Sequence, residues 1–189
     1  MRAPELVTLE RGLVRLEPWT AEHDEGLLAA AQDDDIWRWL PAFRPRTLDD
    51  VVAIRENHPG QPWAVVVDGV PSGSSSYLEV DPVLGALEIG WSWYRMDLWA
   101  SPVNPTCKLL LMSYAFDELG ADRVSLKTDA LNTRSQSAIK KLGCLYDGTW
   151  RHHRLRPDGT VRDTAYFSML AAEWPSAKAR LEERAYRSV

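Results

Sequence analysis

Between Ala86 and Gly143 the chain passes from strand periodicity to helix, back to strand and again to helix, and this succession constrains its fold more than any other feature. Residues 86–94 alternate. Leu87, Ile89, Trp91 and Trp93 are expected on one face, with Ala86, Glu88, Gly90, Ser92 and Tyr94 on the other. From Cys107 to Leu119 the apolar positions Leu109, Met112, Phe116 and Leu119 recur at helical spacing, and Gly120 supplies a stop. Val124 to Asp129 reads as a strand. Asn132 suits the N-cap of a helix that packs Ala138, Ile139 and Leu142 and ends at Gly143. The middle of the chain is therefore a β-α-β unit followed by a further helix.

The flanks add antiparallel strands. Gly12 to Leu16 reads as a first strand, with Leu13 alternating against Val14 and Leu16. Thr20 opens a helix through about Ala31, and Thr47 with Asp50 forms a capping pair before a helix to about Asn57. Trp63 to Val67 and Ser72 to Val80 are strands joined at Asp68-Gly69, a hairpin signal. After Gly143, strands over Leu145 to Arg154 and Val161 to Leu170 meet around Pro157-Asp158-Gly159, and a polar helix from Glu173 closes the chain. The fold class is α/β (α+β): a mixed, mostly antiparallel twisted sheet with a central β-α-β unit and helices on both faces. With no repeat, low-complexity tract or linker, residues 1–189 read as one domain. Diverging strands of such a sheet leave a crevice that ligands favour.

Charge narrows the partners. Residues 1–50 hold 11 acidic and 6 basic side chains and so carry the whole net charge of −5. The clusters at Glu22, Asp24 and Glu25 and at Asp33, Asp34 and Asp35 read either as a solvated face or as a rim drawing in a cationic amine. Cys107 and Cys144 show neither CxxC nor metal-ligand spacing, so both are expected as buried packing residues, and no metal is called for. No signal-peptide pattern and no membrane-length apolar run occurs, which leads to the expectation of a soluble, cytoplasmic protein. Nine tryptophans suit core and sheet faces, or the wall of a ligand cleft.

Several stretches, in their order, resemble the GNAT superfamily, in particular its ribosomal-protein N-terminal acetyltransferase (RimJ/RimL-type) branch. They are Leu87-Glu88-Ile89-Gly90-Trp91, Trp99 to Lys108, and Lys127-Thr128-Asp129 to Asn132 with Arg134, Ser135, Ala138 and Ile139. Pro157-Asp158-Gly159-Thr160 with Arg162-Asp163 completes the set, so the similarity covers nearly the whole chain. The resemblance implies a V-shaped opening between the fourth and fifth strands, into which the pantetheine arm of an acyl donor inserts like a strand. The edge backbone of Ile89, Trp91 and Trp93 would pair with it. Asn132 matches the family's asparagine at the start of the next helix.

The donor is thus expected to be acyl-CoA or the phosphopantetheine of an acyl carrier protein. The acceptor is expected to be an amine, on a small molecule or a protein N-terminus. Neither a membrane nor a nucleic-acid partner is expected. The family's phosphate loop carries glycines whose N–H groups hold the donor pyrophosphate at a helix N-terminus. Here Ala100 and Pro102 stand where glycines belong, and neither enters the left-handed region easily. Ser101, Val103 and Asn104 are left as loop contacts, with Lys108 as a compensating point charge. This departure keeps three alternatives to free acetyl-CoA chemistry open: a carrier-protein donor, an aminoacyl-tRNA-dependent transferase, and a catalytically silent GNAT-like binding protein.

Acyl transfer from a thioester needs a base for the amine and donors for the developing oxyanion and thiolate. Glu88, on the polar face of its strand, is the expected base, acting through water; a salt-bridge partner is the plainer alternative. Ser135 or Ser137 would donate to the leaving thiolate. The tyrosine that many superfamily members use here is replaced by Ile139, leaving Tyr94 and Tyr146 as weaker substitutes. The basic run Arg151, His152, His153, Arg154 and Arg156 reads as an edge that discourages sheet pairing, or as a docking patch for an acidic carrier protein or nucleic acid. Its adjacent histidines would point to opposite faces of a regular strand.

Overall fold

The computed structural model describes residues 1–185; the last four residues of the 1–189 span lie outside the described residues. Strands β1 (Leu9–Arg11) and β2 (Val14–Pro18) precede the helices α1 (Asp24–Ala30), α2 (Asp34–Trp37) and α3 (Leu48–Glu56). Strands β3 (Gln61–Val67), β4 (Val70–Asp81) and β5 (Ala86–Tyr94) follow, then α4 (Val103–Ser113), β6 (Arg123–Asp129) and α5 (Thr133–Leu142). Strands β7 (Leu145–Leu155) and β8 (Val161–Leu170) and helix α6 (Trp174–Arg184) complete the described residues. All eight strands join one sheet in the order β1-β2-β3-β4-β5-β6-β8-β7. Every neighbouring pair is antiparallel except β5 and β6, which the helical crossover through α4 makes parallel.

Local chemistry explains most boundaries. Thr47 and Asp50 form a reciprocal capping box at the start of α3. Asp68 and Gly69 both take positive φ, 49° and 75°, as a two-residue hairpin turn requires. Gly143 ends α5 in the left-handed region. The expected first strand over 12–16 is corrected: Gly12, at φ 57°, sits at a turn between β1 and β2, and Leu13 is exposed there. Helix α4 begins at Val103, four residues earlier than its apolar spacing suggests. Pro102 at φ −66° and Pro105 in the first turn are both compatible with helix geometry.

The sheet has a core on each face. On β3, Trp63 and Val65 enter a cluster with α4 and α6, whereas the intervening Ala64 enters a second cluster with Trp19, Leu27, Trp37 and Val51. The expected alternation along β5 fails after Gly90. Leu87 and Ile89 pack in the first cluster, but Trp93 packs in the second, and Tyr94 in the first. The cause is a bulge: Trp91 adopts φ 49°, and the β4 register passes from Ser76↔Gly90 to Ser74↔Trp93, so two residues of β5 face Ser75 alone. One extra residue reverses every side chain that follows it.

The two strands at the bulge approach closely. A Cβ on Gly73 of β4 would lie 2.2 Å from the Trp93 carbonyl oxygen. Gly73→Ala should therefore destabilise the protein by about 2 kcal/mol, the cost of overpacking a rigid site. A lowered urea midpoint with an unchanged m-value is the expected readout.

Candidate functional site

Parallel pairing between β5 and β6 extends over only Ala86↔Arg123, Leu87↔Val124 and Glu88↔Ser125. Both strands continue, to Tyr94 and Asp129, so they splay apart beyond Glu88. The opening is a cleft of about 920 Å³, walled by β5 from Glu88 to Tyr94, by Leu126 to Thr128 of β6, by the 98–105 loop and by one side of α5. Trp39, Leu40 and Pro41, after α2, close part of its rim.

Glu88 lies in this cleft, 2% exposed, with Oε2 2.6 Å from Lys127 Nζ. The same ammonium meets Glu79 Oε1 at 2.6 Å and lies over the Tyr166 ring. Burial lifts the Glu88 carboxyl above the usual carboxylate range, and the neighbouring ammonium only partly offsets that. Both properties read from the sequence, polar strand carboxylate and ion-pair partner, thus meet in one side chain. Sequence reasoning gives Lys127 no role of its own; nothing local marks it, because its partners come from other strands.

Asn132 caps α5, its Oδ1 accepting from the Ser135 amide at 3.0 Å, and also lines the cleft. Ser135 and Ile139 lie on the same helical stripe as Asn132, and Ile139 is buried. Ser137 is exposed at the cleft margin, off that stripe. Tyr94 packs in the core and Tyr146 is exposed on β7. Burial pushes both Cys107 and Cys144 up to about 12, so neither is a thiolate at neutral pH.

These geometric features coincide with a match to a known family. Residues 14–145 match the acetyltransferase (GNAT) domain family. The chain belongs to the GNAT family. Its fold superimposes with a TM-score of 0.90 on a GCN5-related N-acetyltransferase from Brucella melitensis, at 29% identity over 95% of this chain and 86% of that one. A provisionally named acetyltransferase from T. thermophilus gives a TM-score of 0.88 at 34% identity, covering 98% of this chain and all (100%) of that one. A Bacillus subtilis (strain 168) protein, YdaF, provisionally named a ribosomal N-acetyltransferase, is 29% identical over 114 residues, 60% of this chain. The matched segment spans 61% of that relative's length.

The loop in which the family resemblance implies phosphate binding carries no glycine between Trp99 and Lys108. Ala100 does take the left-handed conformation, φ 61°, contrary to the expectation that it would resist it. The glycine-type backbone path is therefore kept at Ala100 at the cost of some strain. The amides are not kept. Pro102 and Pro105 have no N–H, and the amides of Ser101, Val103 and Thr106 go to Leu98 O, Ser101 Oγ and Pro102 O. Ala100 and Asn104 are left as the loop's amide donors among the described residues.

Two expected loop contacts are corrected. The Val103 side chain is fully buried in the core and faces no ligand. Lys108 is not a surface charge near the loop: it points inward, 5% exposed, and donates to Ser92 Oγ at 2.5 Å and Ser75 Oγ at 3.2 Å. Ser75 and Ser92 are themselves 2.7 Å apart, so three polar groups share one buried pocket under the bulge. Among the expected residues, Glu88, Ile89, Trp91, Trp93, Ser101, Asn104, Lys108, Asn132, Ser135 and Ser137 all line the cleft.

The acidic N-terminal clusters are structural in part. Asp24 is buried between Trp19 Nε1 and Arg55, and Asp33 caps α2. Of the basic run, Arg151 to Arg154 lie on β7, the edge of the sheet, and Arg156 just beyond it. That strand is irregular: His152 takes φ 52°, and its amide donates to Asp163. Among the described residues no group of His, Cys, Asp and Glu could hold a metal ion, and no helix is long and apolar enough to cross a membrane.

Burial without a counter-ion pulls the Lys108 ammonium down from 10.5 to about 8. An unfolded lysine keeps its proton up to the higher value, so the folded state carries a penalty below about pH 8. That penalty, about 3 kcal/mol by the size of the shift, fades as pH rises toward 10.5. Lys108→Met should accordingly stabilise the protein by about 2 kcal/mol at pH 7. The difference between variant and wild type should shrink between pH 8 and 10.5, which chemical denaturation across that range would measure.

Proposed function

We propose that this protein is an N-acetyltransferase that moves an acetyl group from a pantetheine thioester to a primary amine by direct attack, without an acyl-enzyme. The observation that carries this reading is the splay of β5 and β6 beyond Glu88↔Ser125, with the bulge at Trp91 inside it. A strand edge released from its parallel neighbour offers N–H and C=O groups to the amides of a pantetheine arm. A bulged residue leaves an amide outside the regular ladder, suited to an oxyanion.

In this mechanism Glu88 accepts the proton of the incoming ammonium, directly or through water. Its raised pKa makes it a better base than an exposed carboxylate. While Oε2 is held by Lys127, Oε1 faces Gly90, where a Cβ would lie 2.8 Å away. A side chain at Gly90 would crowd that oxygen and also Leu78, whose Cδ1 would lie 2.5 Å from its Cβ. The amine nitrogen attacks the thioester carbonyl, the tetrahedral intermediate collapses, and the thiolate leaves. Ser135, which lines the cleft from the first turn of α5, would donate a hydrogen bond to it, and the thiolate takes its proton from water. Glu88→Gln keeps the shape and removes the basicity, so kcat should fall by roughly 10²–10⁴-fold with donor affinity unchanged. Steady-state kinetics and donor titration test this; an unchanged kcat would remove Glu88 from the chemistry.

The donor is acetyl-CoA or an acylated carrier protein, held mainly through its pantetheine arm. Two loop amides in place of a full set support a weak grip on the pyrophosphate. Arg134, stacked 3.2 Å over the Trp99 ring, is a cation at the same end of the cleft. Calorimetry should find CoA and pantetheine binding within about tenfold of one another, a gap of no more than ~1.4 kcal/mol. A hundredfold advantage for CoA would restore a working phosphate loop.

A further inference from the structure

The face of the sheet that carries Glu88 continues across β6 and β8 as a row of charged groups. Lys127 of β6 is in register with Tyr166 of β8, and Asp129 with Thr164, so Arg162, two residues before Thr164, lies on the same face. Across β7, Arg162 is in register with Arg154. Both arginines line the cleft together with Glu79, Glu88 and Lys127.

The carboxylates of this face are already committed. Lys127 is shared by Glu79 and Glu88 at 2.6 Å each. Asp129 holds Arg156 at 2.8 Å and also accepts the Leu131 amide. Arg154 approaches Glu79 only at 3.8 Å. The Arg162 side chain has no hydrogen-bond or ion-pair partner among the described residues, and its Nε is buried without an acceptor. Burial lowers its pKa, with the charges of Asp129 and Glu88 acting the other way. A half-buried guanidinium with an unmatched donor in a ligand cleft is a group prepared for an acceptor that arrives with the ligand.

We propose that the cleft contains an anion subsite formed by Arg162 with Arg154 beside it, and that the acceptor is an amine that also bears a carboxylate. The placing of its amine at Glu88 rests on the acetyl-transfer reading above; the anion subsite does not. Arg162 and Glu88 line the same cleft, so both ends of such a zwitterion can be met within it by one small molecule or one short peptide N-terminus. The carboxylate has two sources: the α-carboxylate of a free amino acid, or an acidic side chain at the second residue of a peptide. A fork of two arginines takes either through paired N–H···O bonds. An acceptor with an amine alone would leave the Arg162 charge unmatched and add a further cation to the site.

The test uses product-like ligands, so that binding is measured apart from turnover. N-acetyl-phenylalanine is titrated by calorimetry against its carboxamide, and acetyl-Ser-Glu-amide against acetyl-Ser-Gln-amide. In one of the two pairs the acid should bind the wild-type protein at least about tenfold more tightly, as expected of a charge-assisted hydrogen bond. The pair that shows it identifies the source of the carboxylate. Arg162→Gln should reduce the acid to the affinity of the amide, and Arg162→Lys, which keeps the charge without the fork, should fall between. Equal binding of acid and amide in both pairs overturns the subsite. So does failure of all four ligands to bind at millimolar concentration, or a preference that survives in Arg162→Gln. Acetyl transfer from acetyl-CoA to the four parent amines is followed in parallel. A preserved, Arg162-dependent preference with no transfer would support the subsite and overturn the acetyltransferase reading instead.

Discussion

Three residue pairs of parallel ladder hold β5 to β6, and the ladder stops at Glu88↔Ser125. A parallel pair cannot close into a hairpin; it needs a crossover, and here the crossover is α4. The helix wedges its buried face, Val103, Cys107 and Leu111, against the strands on one side of the sheet. The bulge at Trp91 then turns the end of β5 the other way, toward the cluster of Trp37 and Val51. Each strand stays paired with its antiparallel neighbour, β4 or β8, beyond the splay, so it keeps its place without the other. The cleft is therefore a product of the topology, and the groups that line it inherit their positions from strands that the core holds rigidly.

Buried charge is concentrated around this opening, and it is handled in two ways. Glu88 is matched by Lys127, which steadies its charge in a desolvated position, while burial still raises its basicity. Lys108 is matched by two serine hydroxyls rather than by an acid, and its proton is held less tightly for that reason. The run of small buried residues Ser72, Gly73, Ser74, Ser75 and Ser76 on β4 makes room for the second arrangement. Pairing a charge costs less than leaving it alone in a medium of low polarity, so groups left without a full partner point to function or to a ligand.

The family branch that the residues around Glu88, Asn132 and Arg162 resemble agrees with the family match and with the name borne by the Bacillus subtilis relative. The loop is where resemblance and structure needed each other. Ala100 and Pro102 are visible in the sequence as substitutions for glycine, but only the tertiary structure reveals that the alanine follows the glycine-like path while the amides are spent elsewhere.

What the sequence alone determined is local. Alternation, helical spacing and the caps at Thr47, Asn132 and Gly143 depend on residues within a few positions of one another, and the elements they imply are present, displaced by a few residues at β2 and α4. The order of those elements was enough to imply a mixed sheet around a β-α-β unit. What only the tertiary structure decided depends on partners far along the chain. Trp93 faces away from Leu87 because Ser75, on another strand, is opposed by two residues instead of one. Lys108, which resembles a surface lysine in its own helix, is buried because Ser75 and Ser92 meet it from two strands. Glu88 finds Lys127, and Arg162 finds no acceptor among the described residues, through the register of β5, β6 and β8. Burial and ion pairing are set by distances across the sheet, and no pattern of neighbours in one segment encodes those distances.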